Sequence, residues 1–82
     1  MRTVSAVVDP SRLREEMTRR GWDAMHLAHQ ARLSPATISA ALAGRPIAAR
    51  SLTMIADALL QAPVLDIIDL LIVHEKRERE LG

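Results

Sequence analysis

Eighty-two residues, 49% of them apolar and none of them cysteine, bound the chain to one small domain on a single apolar core, without disulfides or thiolate-held metal. Phe and Tyr are absent and Trp22 is the lone aromatic residue, which argues against a stacking platform for single-stranded nucleic acid. The net charge of +1 hides an asymmetry: residues 1–62 carry eight Arg against five acids, residues 63–82 carry three basic side chains against five acids, and no acid stands between Ala24 and Ala56. A locally basic segment beside an acidic tail suits a face that meets a polyanion.

MRTVSAVV at the start is too short and too weakly apolar for a signal peptide, and no stretch reaches the ~18 apolar residues of a membrane span. The expectation is a soluble, cytoplasmic protein with no membrane partner. Residues 1–8 alternate loosely and fit a short strand, an ordered arm or a frayed terminus. Asp9-Pro10 then reads as a cap followed by a first-turn proline, opening a helix over 10–20. Its inner face is Leu13 and Met17, with Glu15 and Glu16 near the start and Arg19 and Arg20 near the end, complementing the helix dipole. Gly21 stops it, and Trp22 is expected in the core at the junction with the next helix.

Asp23 is the expected cap of a second helix, Ala24 to Ala31. It carries His26 and His29, three apart, but no third ligand lies near in sequence, so no metal is expected there. The central stretch, Leu27 to Gly44, is the one the others serve. Leu27, Ala28 and Ala31 give the second helix an apolar face; Ile38, Ala41 and Leu42 give one to a third helix over 35–43. Ser34 can accept from the orphan amides of that helix, Pro35 fits its first position, and Gly44 takes its left-handed stop. Two short helices around the turn 32–34 make a helix-turn-helix unit. A pair this small cannot bury its own apolar surface, so the flanking segments should hold it.

Arg45-Pro46-Ile47-Ala48 reads as a short basic loop. A fourth helix, 49–61, places Leu52, Ile55, Ala56, Leu59 and Leu60 at helical spacing, and Pro63 breaks it. A fifth segment, 64–80, holds eight apolar residues in the ten from Val64 to Val73, more than one core-facing stripe needs. The EKRERE run that follows reads as a solvated tail. The domain therefore divides into an arm (1–8), a four-helix core (10–62) and a fifth helix with a charged tail (64–80).

LREEMTRRGW at 13–22, Leu27-Ala28, LSPATIS at 33–39, LAG at 42–44 and LTMIADAL at 52–59 follow one another in an order and spacing that are informative together. The run from Leu13 to Leu71 resembles the lambda-repressor-like helix-turn-helix family, also called the XRE family. The resemblance implies an all-α, five-helix domain that binds double-stranded DNA, commonly as a dimer on inverted repeats. Three features depart from the family pattern. Ala24 stands where the family often has a phosphate-binding Gln, Arg32 stands where the turn usually has Gly, and the third helix is poor in long polar side chains.

A recognition helix offers its N-terminal residues to base edges in the major groove. The base-facing set expected here is Pro35, Ala36, Thr37, Ser39 and Ala40, with hydroxyls for hydrogen bonds and methyls for thymine. Phosphates should be held by Ser34, Arg45 and Arg50, with Arg32 a weaker candidate. Leu65, Ile67, Ile68, Leu71 and Ile72 form the expected homodimer seam. The resulting expectation is a sequence-specific transcriptional regulator, of the small phage-repressor or Cro-like kind. The alternative is an antitoxin-like module that uses the same fold to hold a protein. No Gly-rich phosphate loop or nucleophile–base pair occurs, so neither enzyme activity nor a cofactor nor a small-molecule ligand is expected.

Overall fold

The computed structural model describes residues 4–65. They form, in order, β1 (Ser5–Ala6), α1 (Pro10–Arg19), α2 (Ala24–Ala31), α3 (Pro35–Leu42), β2 (Ile47–Ala48) and α4 (Ala49–Gln61). The chain is thus mostly helical, with one small antiparallel ladder pairing Ser5 with Ala48 and Ala6 with Ile47. The expected fifth helix over 64–80 falls, beyond Leu65, outside the described residues.

Local chemistry sets the helix starts. Asp9 and Asp23 stand in extended backbone and accept from Arg12 N and His26 N at 3.2 and 2.7 Å. Ser34 does the same for Thr37 N at 3.2 Å, ahead of Pro35. α4 has no such side chain, because its N-cap is Ala48. The donor is met from far away: Ala49 N–H donates to the Val4 carbonyl at 3.0 Å. Ser5–Ala6 are therefore a strand, while residues 1–3 of the N-terminal segment lie outside the described residues. The expected loop 45–48 is corrected in its second half, where Ile47 pairs in β2 and is buried; a β-branched apolar side chain beside a partner strand has reason to leave a loop.

The helix stops share one hydrogen-bond pattern. Gly21 N–H and Trp22 N–H donate to Thr18 and Met17 carbonyls, Arg32 and Leu33 to His29 and Ala28, and Gly44 and Arg45 to Ala41 and Ala40. All three are Schellman caps, in which one residue must take a left-handed backbone. Two of those residues are glycines, at φ 71° and 73°; the third is Arg32, at φ 58°.

The core is Leu13 and Met17 of α1, Leu27, Ala28 and Ala31 of α2, Ile38 and Ala41 of α3, Ile47 of β2 and Ile55 of α4. Trp22 is half-buried against it and stacks on His26, ring centroids 5.1 Å apart. On α4 the expected stripe is narrower than its periodicity suggests. Leu52, Ile55 and Leu59 face inward, but Ala56 is exposed and Leu60 is 81% exposed. Leu65 is held back on its own chain, its amide donating to the Arg19 carbonyl at 2.7 Å and its side chain lying against Gly21.

Arg20 does more than complement a dipole. Its side chain is only 10% exposed; Nε donates to the Leu59 carbonyl at 2.9 Å, and Nη1 donates to the Glu16 carbonyl at 2.9 Å and to Glu16 Oε1 at 2.7 Å. One guanidinium thus ties the end of α1 to the end of α4. Replacing it with Ala should cost about 2 kcal/mol, since charge-assisted bonds are lost and carbonyls are left short of a donor. The Arg20 hydrogen bond, helped by the charges of Arg19 and Arg20, holds the Glu16 carboxyl below its ordinary range against a smaller opposing effect of burial. A folded value below the unfolded one means that this contribution is present above the unfolded value and is lost as pH falls through the folded one. The gap in urea midpoint between the parent and Arg20→Ala should therefore narrow as pH falls through and below the ordinary glutamate range. A gap that stays constant over that range would show that the pair does not act this way.

Candidate nucleic-acid interface

The turn joining α2 to α3 is three residues, Arg32, Leu33 and Ser34, and Leu33 tucks partly under it against the core. α2 packs against both α3 and α4, and α3 is gripped at its far end by Arg14, whose Nη2 donates to the Leu42 carbonyl at 3.1 Å. α3 is thus braced along its inner side and at its C-terminal end, leaving an outer face for other use.

Among the expected base-facing residues, Pro35, Ala36 and Ser39 are exposed. Thr37 is half-buried, and its hydroxyl lies 3.0 Å from that of Ser34, so one of the two donates to the other within the first turn. Ala40 is half-buried and packed against the core, and its carbonyl accepts from Arg45 N–H at 2.9 Å in the cap that closes α3. Ala43, one residue past α3, is exposed instead. Ala36, Ser39 and Ala43 fall at i, i+3 and i+7, which puts them on one side of the helix. That side is low and smooth, carrying two methyls and a hydroxyl.

Arg32, Arg45 and Arg50 are exposed and surround this face in sequence. The carboxylates among the described residues that form ion pairs are Asp9 and Glu16, and they pair with Arg12, Arg19 and Arg20. Arg32, Arg45 and Arg50 have neither a carboxylate nor a carbonyl partner among the described residues. Two of the three sit where local physics disfavours them. Arg32 takes a left-handed backbone that costs a non-glycine residue of order 1 kcal/mol. Arg50 lies in the first turn of α4, where the positive end of the helix dipole opposes a cation. An external anion would offset the second of these costs. Arg32 also lines a polar cleft with His29, Gln30 and Asp57, so its surroundings are electrically mixed, whereas Arg45 and Arg50 lie away from any acid in sequence. The cap hydroxyl of Ser34 is exposed at the start of α3.

Of the expected dimer seam only Leu65 is described, and it is turned toward its own α1; Ile67, Ile68, Leu71 and Ile72 lie outside the described residues. The described residues contain no group of three or more potential metal-ligating side chains, and no helix among them is long and apolar enough to cross a membrane. No protein-family model, curated protein or solved structure matches the chain.

Proposed function

We propose that the chain is a sequence-specific, double-stranded-DNA-binding transcriptional regulator, a small phage-type repressor or Cro-like protein. In this reading α2, the turn and α3 act as a helix-turn-helix, with α3 in the major groove. One observation supports it: the exposed face of α3 is built from small side chains, and the sequence on either side of α3 carries three exposed arginines that have no partner among the described residues. Small residues let a helix approach the groove floor, where each base pair presents its own donors, acceptors and methyl. Ser39 serves as a hydrogen-bonding residue and Ala36 as a methyl contact. Ser34, Arg45, Arg50 and, less strongly, Arg32 hold phosphates and fix the register.

One copy with three or four phosphate contacts binds weakly. We therefore infer a homodimer, joined through the apolar side chains of Ile67, Ile68, Leu71 and Ile72, whose two α3 helices meet the duplex about 34 Å apart. Six to eight contacts make affinity fall roughly 10³-fold or more between 50 and 200 mM salt.

The test is fluorescence anisotropy on a duplex from immediately upstream of the coding sequence, with a mixed-sequence duplex as control. Arg45→Ala and Arg50→Ala should each lower the slope of log affinity against log salt by about 0.9 per bound copy, on both duplexes. No binding of either duplex at micromolar protein in low salt would sink the proposal. A second reading, an antitoxin-like module that holds a protein, draws on exposed Val7 and Ala56 beside an apolar groove between α1 and α4. It predicts loss of partner capture on Ala56→Asp with DNA affinity untouched.

A further inference from the structure

α3 has no basic residue in its own last turn, so the negative end of its dipole receives no cation from within the helix. α1 supplies one. Arg14 Nη2 donates at 3.1 Å to the carbonyl of Leu42, the last residue of α3, across 28 positions of sequence. The amides that close α3 go to the carbonyls of Ser39, Ala40 and Ala41, so Arg14 reaches one that the cap leaves over. Pro10 stands one turn before Arg14 on the same side of α1. Its ring lies against Gly44, where an added Cβ would come 3.4 Å from Pro10 Cγ. Arg14 forms no ion pair among the described residues. One side of α1 thus holds the last turn and the stop of the helix whose outer face carries Ala36 and Ser39.

We propose that Pro10 and Arg14 clamp the end of α3 and so set the angle at which that helix meets the bases. Arg14 is then a positioning residue for sequence discrimination that does not itself touch the duplex. The inference rests on the DNA-binding reading and deepens it. Ala36 and Leu42 are about 9 Å apart along the helix axis, so a tilt of about 10° moves one end by about 1.5 Å. Hydrogen bonds to base edges tolerate about 0.5 Å. Contacts to phosphates, which are blind to sequence and made by long side chains, absorb such a shift. Loosening the clamp therefore costs recognition of the right duplex more than it costs binding of any duplex.

The test uses the full chain with two labelled duplexes, one enriched on the parent from a random pool and one of mixed sequence. The quantity read is the ratio of the two affinities. Partial unfolding of a variant leaves that ratio unmoved, because both duplexes lose the same fraction of folded protein. Arg14→Ala should lower the ratio about fivefold, the low end of what one wrong base pair costs, with the salt slope on the mixed duplex unchanged. Arg14→Lys should recover most of the ratio, since a donating cation returns to the Leu42 carbonyl. Pro10→Ala, which removes the ring and leaves every charge, should lower the ratio in the same direction. A parental ratio in Arg14→Ala overturns the inference while the DNA-binding reading stands. A loss of about 0.9 from its salt slope per bound copy also overturns it, because Arg14 would then hold a phosphate itself. If Arg14→Ala lowers the ratio and Pro10→Ala does not, the part given to Pro10 fails. If no duplex is enriched on the parent, the sequence-specific reading fails and takes this inference with it.

Discussion

An Ala36→Glu chain should melt within about 0.5 kcal/mol of the parent and bind duplex DNA at least ~100-fold more weakly. Ala36 is exposed in the first turn of α3, so no core contact is lost. A carboxylate at that end of a helix meets the positive end of the dipole, which offsets the small propensity cost of losing Ala. The folded state therefore has no reason to object. In the proposed complex the same carboxylate faces groove acceptors and phosphates, and like charges brought together at an interface cost several kcal/mol. About 3 kcal/mol is already more than two powers of ten in affinity. The paired measurement is a thermal melt and a duplex titration on one protein stock. Parental affinity in Ala36→Glu would mean that the outer face of α3 does not meet DNA. Ala36→Ser should change affinity far less, because it adds neither charge nor much volume.

The place of α3 in the chain could be read from the residues because its cap, its first-turn proline and its stop are all local signals. Asp23, Ser34-Pro35 and Gly44 each act on amides or carbonyls a few residues away, and the bounds of α2 and α4 follow the sequence reading. Burial width is a different matter. Ala56 and Leu60 share the period of buried neighbours on α4, but how far a buried stripe spreads depends on what packs alongside. Both are left open, while Ala40 on α3, expected to face outward, is half-buried against the core. Arg20 looked like a dipole partner because its acceptor on Leu59 is 39 residues away. The strand β1 was equally hidden, since a two-residue ladder has no periodicity of its own and is settled by a distant amide at Ala49. Arg32 is the instructive intermediate case. Its hydrogen bonds match those at Gly21 and Gly44, yet nothing in its own chemistry announces a left-handed residue.

Leu27→Ala should cost about 3–4 kcal/mol, the largest loss of stability expected from a single truncation here. Leu27 is fully buried, and α2, which carries it, packs on both α3 and α4. The cluster around it includes Leu13, Met17, Ile38 and Ile55, so the vacated volume is walled from several elements and cannot close by moving one side chain. A small domain has about 5 kcal/mol to lose. The variant should then unfold at a much lower urea midpoint with an unchanged m-value, whereas Leu60→Ala, on an exposed side chain, should shift it by less than about 0.5 kcal/mol. A cost under about 1 kcal/mol for Leu27→Ala would mean that α2 is not the brace of α3. The two variants also separate two ways of losing DNA. In Leu27→Ala affinity should fall in step with stability and recover as temperature is lowered toward the refolded range, because α3 has lost its support. In Ala36→Glu it should fall at every temperature, because α3 is held as before and only the surface it presents has changed.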